Sequence, residues 1–324
     1  MHVTLSVRVL GYGDKEPIRN YPILGGDMAE MRQLLGDRTR RYRSFYLMFV
    51  PVALYLLIFT YYPLLKGILL SFQENRLIGH RAFVGVRNYA DVVSDSNFRS
   101  SVVNSLVIGL FDMVLYFVLS LVLALVLNEL KIGRVRRSVQ TIAYIPYLLS
   151  WTVIGGIWTI IFDIRGIANV VLNFFGHQSV FFLAEPLLSR PLIIAMGVWR
   201  SVGYFALLFY VSISGIDEGL FEAARIDGAS RMMQIRKIIL PSLRGTMNTV
   251  FVLLSIGVLT HFDEIYVMVN PANRGRIGTL LLYVYENGIV NFRMGLASAG
   301  AILVMIGTII ISGVSRSLSK YDLE

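Results

Sequence analysis

The sequence is dominated by apolar runs about as long as a lipid bilayer is thick. Stretches at 45–71, 102–127, 139–161, 191–213, 246–268 and 295–315 are mainly apolar, and each has roughly the twenty residues an α-helix needs to cross hydrocarbon. In lipid, every backbone N–H and C=O must be satisfied within the segment, so spans of this length must be helices. Of 324 residues, 55% are apolar and only 16% charged, where a soluble domain carries about a quarter. The fold class expected is all-α: a polytopic membrane helix bundle of six transmembrane helices at 45–315, with tails at 1–44 and 316–324. Residues 1–44 lack the apolar stretch and small-residue cleavage site of a secretory signal. They are mostly polar, with Arg38, Arg40, Arg41 and Arg43 crowded before the first run.

Basic residues set the orientation, because Lys and Arg are retained on the cytoplasmic side. The first flank, 128–138, 214–245 and the last tail together hold sixteen, against nine in the alternate connections. Both termini are expected in the cytoplasm, with 214–245 as a cytoplasmic loop. The net charge of +9 flanks the apolar runs, which fits topology signals and gives no reason to expect nucleic acid.

Several chemistries are excluded by composition. Without cysteine there is no disulfide, thiol catalysis or thiolate metal site. His2, His80, His177 and His261 are too scattered to suggest a metal centre. No Walker A sequence, nucleophile elbow or HExxH is present. The chain is therefore expected to be no enzyme, to have no catalytic residues and to hold no cofactor.

The loop at 214–245 is the most punctuated stretch in the second half. Asp217 is suited to cap a short helix, and Glu218 and Glu222 suit that helix's N-terminal half. Ala223 and Ala224 are small enough for a partner surface to approach closely. Asp227-Gly228 is turn chemistry. Ser230 can cap a second, amphipathic helix, which Pro241 is expected to close. From the residues alone, a helix–turn–helix lying on the membrane face is as consistent with a plain linker as with a docking element.

The stretch "EAARIDGA", followed by Ile239, Leu240 and Pro241, resembles the EAA loop of bacterial binding-protein-dependent ABC importer permeases. "SVQTIAYIPYLLSW" at 138–151 and "FDEIYVMVNP" at 262–271 are similar to stretches of the polysaccharide and multi-sugar branch. The resemblance covers about 45–320 and implies a type I importer permease fold in the bacterial inner membrane. It also implies ATP and Mg held by partner subunits, two cytoplasmic ATPases, a second homologous permease and a periplasmic solute-binding protein. The cargo implied is an oligo- or polysaccharide, with acidic, alginate-like sugars among the candidates. The first loop helix is then the part that docks on an ATPase. Glu222 would be its charged anchor, Ala223 and Ala224 its close-packed face, and Asp227, Gly228, Leu240 and Pro241 the remainder of the coupling motif. One departure is Asp217, where many members carry Pro. The other is that no outer loop is long enough for the large insertion of one maltose permease.

Polar residues inside spans are costly and mark functional candidates. These are Asp112, Arg200, His261, Asp263 and Glu264. Asp112 can alternatively pair with a neighbouring helix, Arg200 can reach water from an outer boundary, and His261 can be a satisfied packing residue. Sugars stack on aromatic faces, which adds Tyr144, Tyr147, Trp151, Trp199, Tyr204 and Tyr266, although Trp and Tyr also collect at membrane interfaces. Arg200 among aromatics suits an acidic sugar. A secondary transporter or channel is the alternative. It lacks a visible inverted repeat or half-helix signature and leaves the Glu-Ala-Ala loop unexplained.

Overall fold

The computed structural model describes residues 43–75 and 81–320. The expected N-terminal tail, apart from its last two residues, lies outside the described residues, as do His2, His80 and residues 321–324. The described residues are helical apart from turns and one isolated bridge between Gln73 and Phe83. They form two units, one ending at Leu64 and one beginning at Leu65.

In the first unit, α1 (Arg43–Leu56) leads into a π-helical turn at Leu57–Tyr61. Pro63 has no N–H to offer the carbonyl of Phe59, and the widened turn lets the Tyr62 N–H bond Leu57 instead. None of Leu47 to Leu64 is buried.

The helix α2 (Tyr62–Ser71) ends in the second unit, followed by α3 (Arg87–Ser94) and the 34-residue α4 (Ser96–Glu129). Asp95 caps α4 by accepting from the Asn97 N–H at 2.8 Å. Next come α5 (Gly133–Leu148), α6 (Trp151–Phe162), α7 (Ile167–Phe174) and α8 (Pro186–Ser214). The loop region contains α9 (Glu218–Ile226), α10 (Arg231–Gln234), a π turn at Ile235–Ile239 and α11 (Leu240–Ser242). The chain finishes with α12 (Arg244–Gly257), α13 (Asp263–Met268), α14 (Arg274–Ile277), α15 (Leu280–Tyr285) and α16 (Met294–Lys320).

Five helical stretches are long and apolar enough to cross a membrane, at Leu47–Ser71, Ser96–Glu129, Trp151–Phe174, Pro186–Ser214 and Met294–Ser319. A sixth forms if Arg231–Ser242 and Arg244–Gly257, bent by 65°, count as one. Two predicted spans are broken. The run at 139–161 is interrupted at Leu149-Ser150, both extended, where Ser150 starts a new helix by accepting from the Val153 N–H. The run at 246–268 stops at Gly257 and resumes only at Asp263. Pro241 does not close the loop's second helix. A π turn before it absorbs the missing donor, with the Leu240 N–H bonding Ile235, and the chain bends later, near Leu243. The last tail starts as helix, since α16 continues through Lys320.

Three buried clusters hold the bundle. One gathers Val92, Phe98, Val258, Tyr283 and Ala299, a second Ile108, Ile154, Met196, Ile265 and Leu282, and a third Ala124, Phe209, Ile213, Leu243 and Val250. Each combines α4 or α8 with the broken segments of the last third. Close approach depends on missing side chains, as in other membrane helices: a Cβ on Gly203 of α8 would run into the Ala143 carbonyl of α5.

Candidate functional site: a polar layer at mid-helix and an exposed loop

Asp112 lies sixteen residues from the start of α4 and seventeen from its end. Arg200 is fourteen residues from each end of α8, or about 21 Å at 1.5 Å per residue. Both charges are therefore at the middle of their helices.

Asp112 is buried beside the break between α12 and α13. Its Oδ2 is 3.8 Å from Nε2 of His261, whose Nδ1 bonds Oε1 of Glu264. Thr279 donates to the carbonyl of His261 at 2.7 Å, satisfying one group freed by the break. Glu264 is also buried, whereas Oδ1 of Asp112 has no hydrogen-bond partner. Space for this cluster comes from Gly197 on α8, where a Cβ would strike the Tyr116 hydroxyl and approach Asp112 Oδ2. Asp263 takes no part. It is exposed and makes no hydrogen bond or ion pair among the described residues.

Three residues beyond Gly197, the Arg200 guanidinium lies over two rings, 4.3 Å from Trp151 and 5.0 Å from Tyr147. It donates to the Tyr147 carbonyl at a long 3.4 Å, and its Nε is buried without an acceptor. Tyr147 stacks on Tyr204 with centroids 4.2 Å apart and 9° between planes, and Tyr144 lies 6.1 Å from Tyr147. The structure thus gathers Tyr144, Tyr147, Trp151, Arg200 and Tyr204 around the Leu149-Ser150 break. Trp199 turns instead toward Trp158, at 6.3 Å. Tyr266 joins a separate aromatic group with Phe262 and Tyr285.

At the loop, α9 is capped by Asp217, which accepts from the Gly219 N–H at 2.9 Å. The helix closes through Gly228 at φ +75°, with the Ala229 N–H bonding Ala224 at 2.8 Å, the glycine-ended geometry the sequence anticipated. Ser230 caps α10 by accepting from the Met233 N–H. No residue of α9 is buried, and Leu220 and Ile226 are 52% and 86% exposed. Glu222 is exposed, Ala223 is exposed and Ala224 half-buried. Asp227 and Pro241 are exposed, and Leu240 is half-buried.

Two linking groups carried no sequence signal. Arg231 pairs with Glu129 at 2.6 Å, tying the second loop helix to the end of α4, and donates to Gln234 at 2.9 Å. Tyr116 was discoverable, since it lies four residues after Asp112 on the same helix face. At the opposite end, Asn104 donates to the Gly275 and Gly278 carbonyls and accepts from Arg190. Arg274 bonds Glu286, whose carboxylate hydrogen bond holds the guanidinium above its ordinary pKa.

Residues 117–320 match the model of the family described as binding-protein-dependent transport system inner membrane component. The chain belongs to that family. Among curated permeases, it is 29% identical over 303 residues to the polygalacturonan/rhamnogalacturonan transport system permease protein YteP of Bacillus subtilis, covering 91% of this chain and 94% of that one. It is 30% identical over 277 residues to the arabinooligosaccharides permease AraP of the same organism, covering 85% and 88%. A solved bacterial ABC transporter involved in the import of the acidic polysaccharide alginate contains a chain that superposes with TM-score 0.82 at 25% identity, covering 89% of this chain and 98% of its own. The protein is thus an inner-membrane permease of a sugar ABC transporter, with the type I importer permease fold. In this permease both quoted sugar-branch stretches fall at helix breaks: 138–151 contains Leu149-Ser150, and 262–271 begins at the end of the gap between Gly257 and Asp263.

Proposed function

We propose that this permease imports acidic oligo- or polysaccharide across the inner membrane, driven by ATP hydrolysis in two partner ATPases bound to its 214–245 loop. Both termini and that loop face the cytoplasm. A second, homologous permease completes the pathway, and a periplasmic solute-binding protein delivers the sugar. ATP and Mg belong to the ATPases.

The observation that carries the reading is α9. It is nine residues long, capped at both ends and without a buried residue. So short a helix has little stability of its own in water, and its exposed Leu220 and Ile226 gain only when another surface covers them. A solved structure supports the cargo and the binding protein: a bacterial alginate ABC transporter was solved in complex with an alginate pentasaccharide-bound periplasmic protein, and its matching chain is 25% identical to this one with TM-score 0.82. The acidic cargo is supported by that likeness, by the polygalacturonan relative and by a mid-helix arginine among aromatic rings.

The test is reconstitution of both permeases and the ATPases in liposomes with the loaded binding protein outside. Uptake should require ATP inside and the binding protein outside. Uptake or counterflow exchange that persists without ATP would overturn the ATP-driven reading.

A further inference from the structure

Arg200 is a cation at mid-helix in a membrane protein, and no described carboxylate lies within ion-pair distance of it. Such a charge is retained in hydrocarbon only where it meets water, a partner or a ligand. Its contacts within the chain are of an unusual kind. Trp151 and Tyr147 engage it as ring faces, and ring faces do not satisfy N–H groups lying in the guanidinium plane. Of five N–H donors, one reaches an acceptor, the Tyr147 carbonyl at 3.4 Å. The guanidinium is therefore held in place and left short of acceptors.

Its location adds a second, independent observation. The chain breaks helix at Leu149-Ser150, between Tyr147 and Trp151. Irregular backbone at membrane depth is tolerated where protein buries it or where it lines a polar cavity, and broken helices of this kind border binding sites in transporters. Beside the break stand the stacked Tyr147 and Tyr204, with Tyr144 next to them.

We infer that Arg200, clamped by Trp151 and Tyr147 at the break between α5 and α6, is the carboxylate-binding position of the translocation path. It reads a uronate unit through its planar guanidinium while Tyr204 or Tyr144 offers a ring face to the sugar. A carboxylate supplies two acceptor oxygens in one plane, matching the guanidinium fork. A neutral sugar supplies no such pair, so this position discriminates between acidic and neutral cargo. The inference rests on the acidic-substrate reading above and names the residue that would enforce it.

The experiment uses the complete importer in proteoliposomes. Uptake is measured for galacturonate, mannuronate and guluronate trisaccharides and for neutral maltotriose and arabinotriose. Arg200→Gln should lower uronate uptake about tenfold or more, the loss expected from one charge-assisted pair. ATP hydrolysis stimulated by the loaded binding protein should persist, showing intact assembly. Arg200→Lys, which keeps the charge but loses the planar fork and its seat between the rings, should recover only part of the uronate uptake and keep the stimulated ATP hydrolysis. Uronate uptake by Arg200→Gln equal to wild type would overturn the inference and leave the acidic-substrate reading standing. Loss of binding-protein-stimulated ATP hydrolysis together with uptake in both variants would make Arg200 structural and also overturn it. If the glutamine variant does not assemble, the lysine variant decides: uronate uptake equal to wild type would overturn the inference. A wild-type importer that carries only the neutral trisaccharides would remove the acidic-substrate reading and this inference together.

Discussion

Nε2 of His261 lies 3.8 Å from Oδ2 of Asp112, joining the midpoint of α4 to the break that precedes α13. The ring's other nitrogen bonds Glu264, so one imidazole stands between two buried carboxyl groups. His261→Ala would strand both without this partner, and a buried group left unpaired costs about 1–3 kcal/mol. The purified importer should melt at a lower temperature than wild type. An unchanged melting temperature would show that the cluster does not hold the break together.

Packing of α5 on α8 depends on Gly203. A methyl group there meets the Ala143 carbonyl, and overpacking of this kind costs about 1–3 kcal/mol. Gly203→Val should sharply reduce recovery of assembled importer. Gly156→Ala, where no atom stands within 4 Å, should leave recovery unchanged. Equal recovery of both variants would contradict the packing account.

The pair Arg231–Glu129 separates stability from coupling. Its side chains are 39% and 45% exposed, and such pairs contribute only about 0–1 kcal/mol. Glu129→Gln should therefore fold like wild type but loosen the loop from α4, lowering sugar moved per ATP hydrolysed. The charge-swapped double variant Glu129→Arg with Arg231→Glu should restore part of that ratio. An unaltered ratio in Glu129→Gln would remove the pair from the coupling path.

Orientation is open to a direct check. An alkaline phosphatase fusion after Glu324 or within the connection holding Arg137 should be inactive, whereas one near Arg165 should be active. The opposite pattern would invert the topology.

Much of this was legible in the sequence because the physics involved is local. Run length fixed helical spans, and Asp217, Ser230 and Gly228 announced caps and a turn that depend on a few adjacent residues. Helix breaks inside apolar runs were not legible. Leu149-Ser150 lies in an apolar run, and the gap after Gly257, although marked by Thr260, His261, Asp263 and Glu264, lies within a run long enough to read as one span; it is held partly by Thr279, eighteen residues from His261. The grouping of Arg200 with Tyr147, Trp151 and Tyr204 likewise needs α5, α6 and α8 in place. The separation of Asp263 from Glu264 follows from α13, which buries one neighbour and exposes the next. Gly197 and Gly203 were unremarkable in sequence because their role is the space they leave for other helices.

The central claim is that α9 transmits ATP hydrolysis to the bundle, and Glu222 and Gly228 test it most directly. Glu222→Ala removes the exposed carboxylate, and truncating one partner of a charge pair at a shielded interface costs about 2–5 kcal/mol. Gly228→Leu instead places a side chain at φ +75°, a conformation that favours glycine. The measurement is sugar transported per ATP hydrolysed in the reconstituted importer, with ATPase retention read in parallel. Both variants should keep the membrane bundle folded and either lose the ATPase or hydrolyse ATP without transport. Assembly, hydrolysis and transport at wild-type levels in both would reduce the loop to a linker and contradict the account.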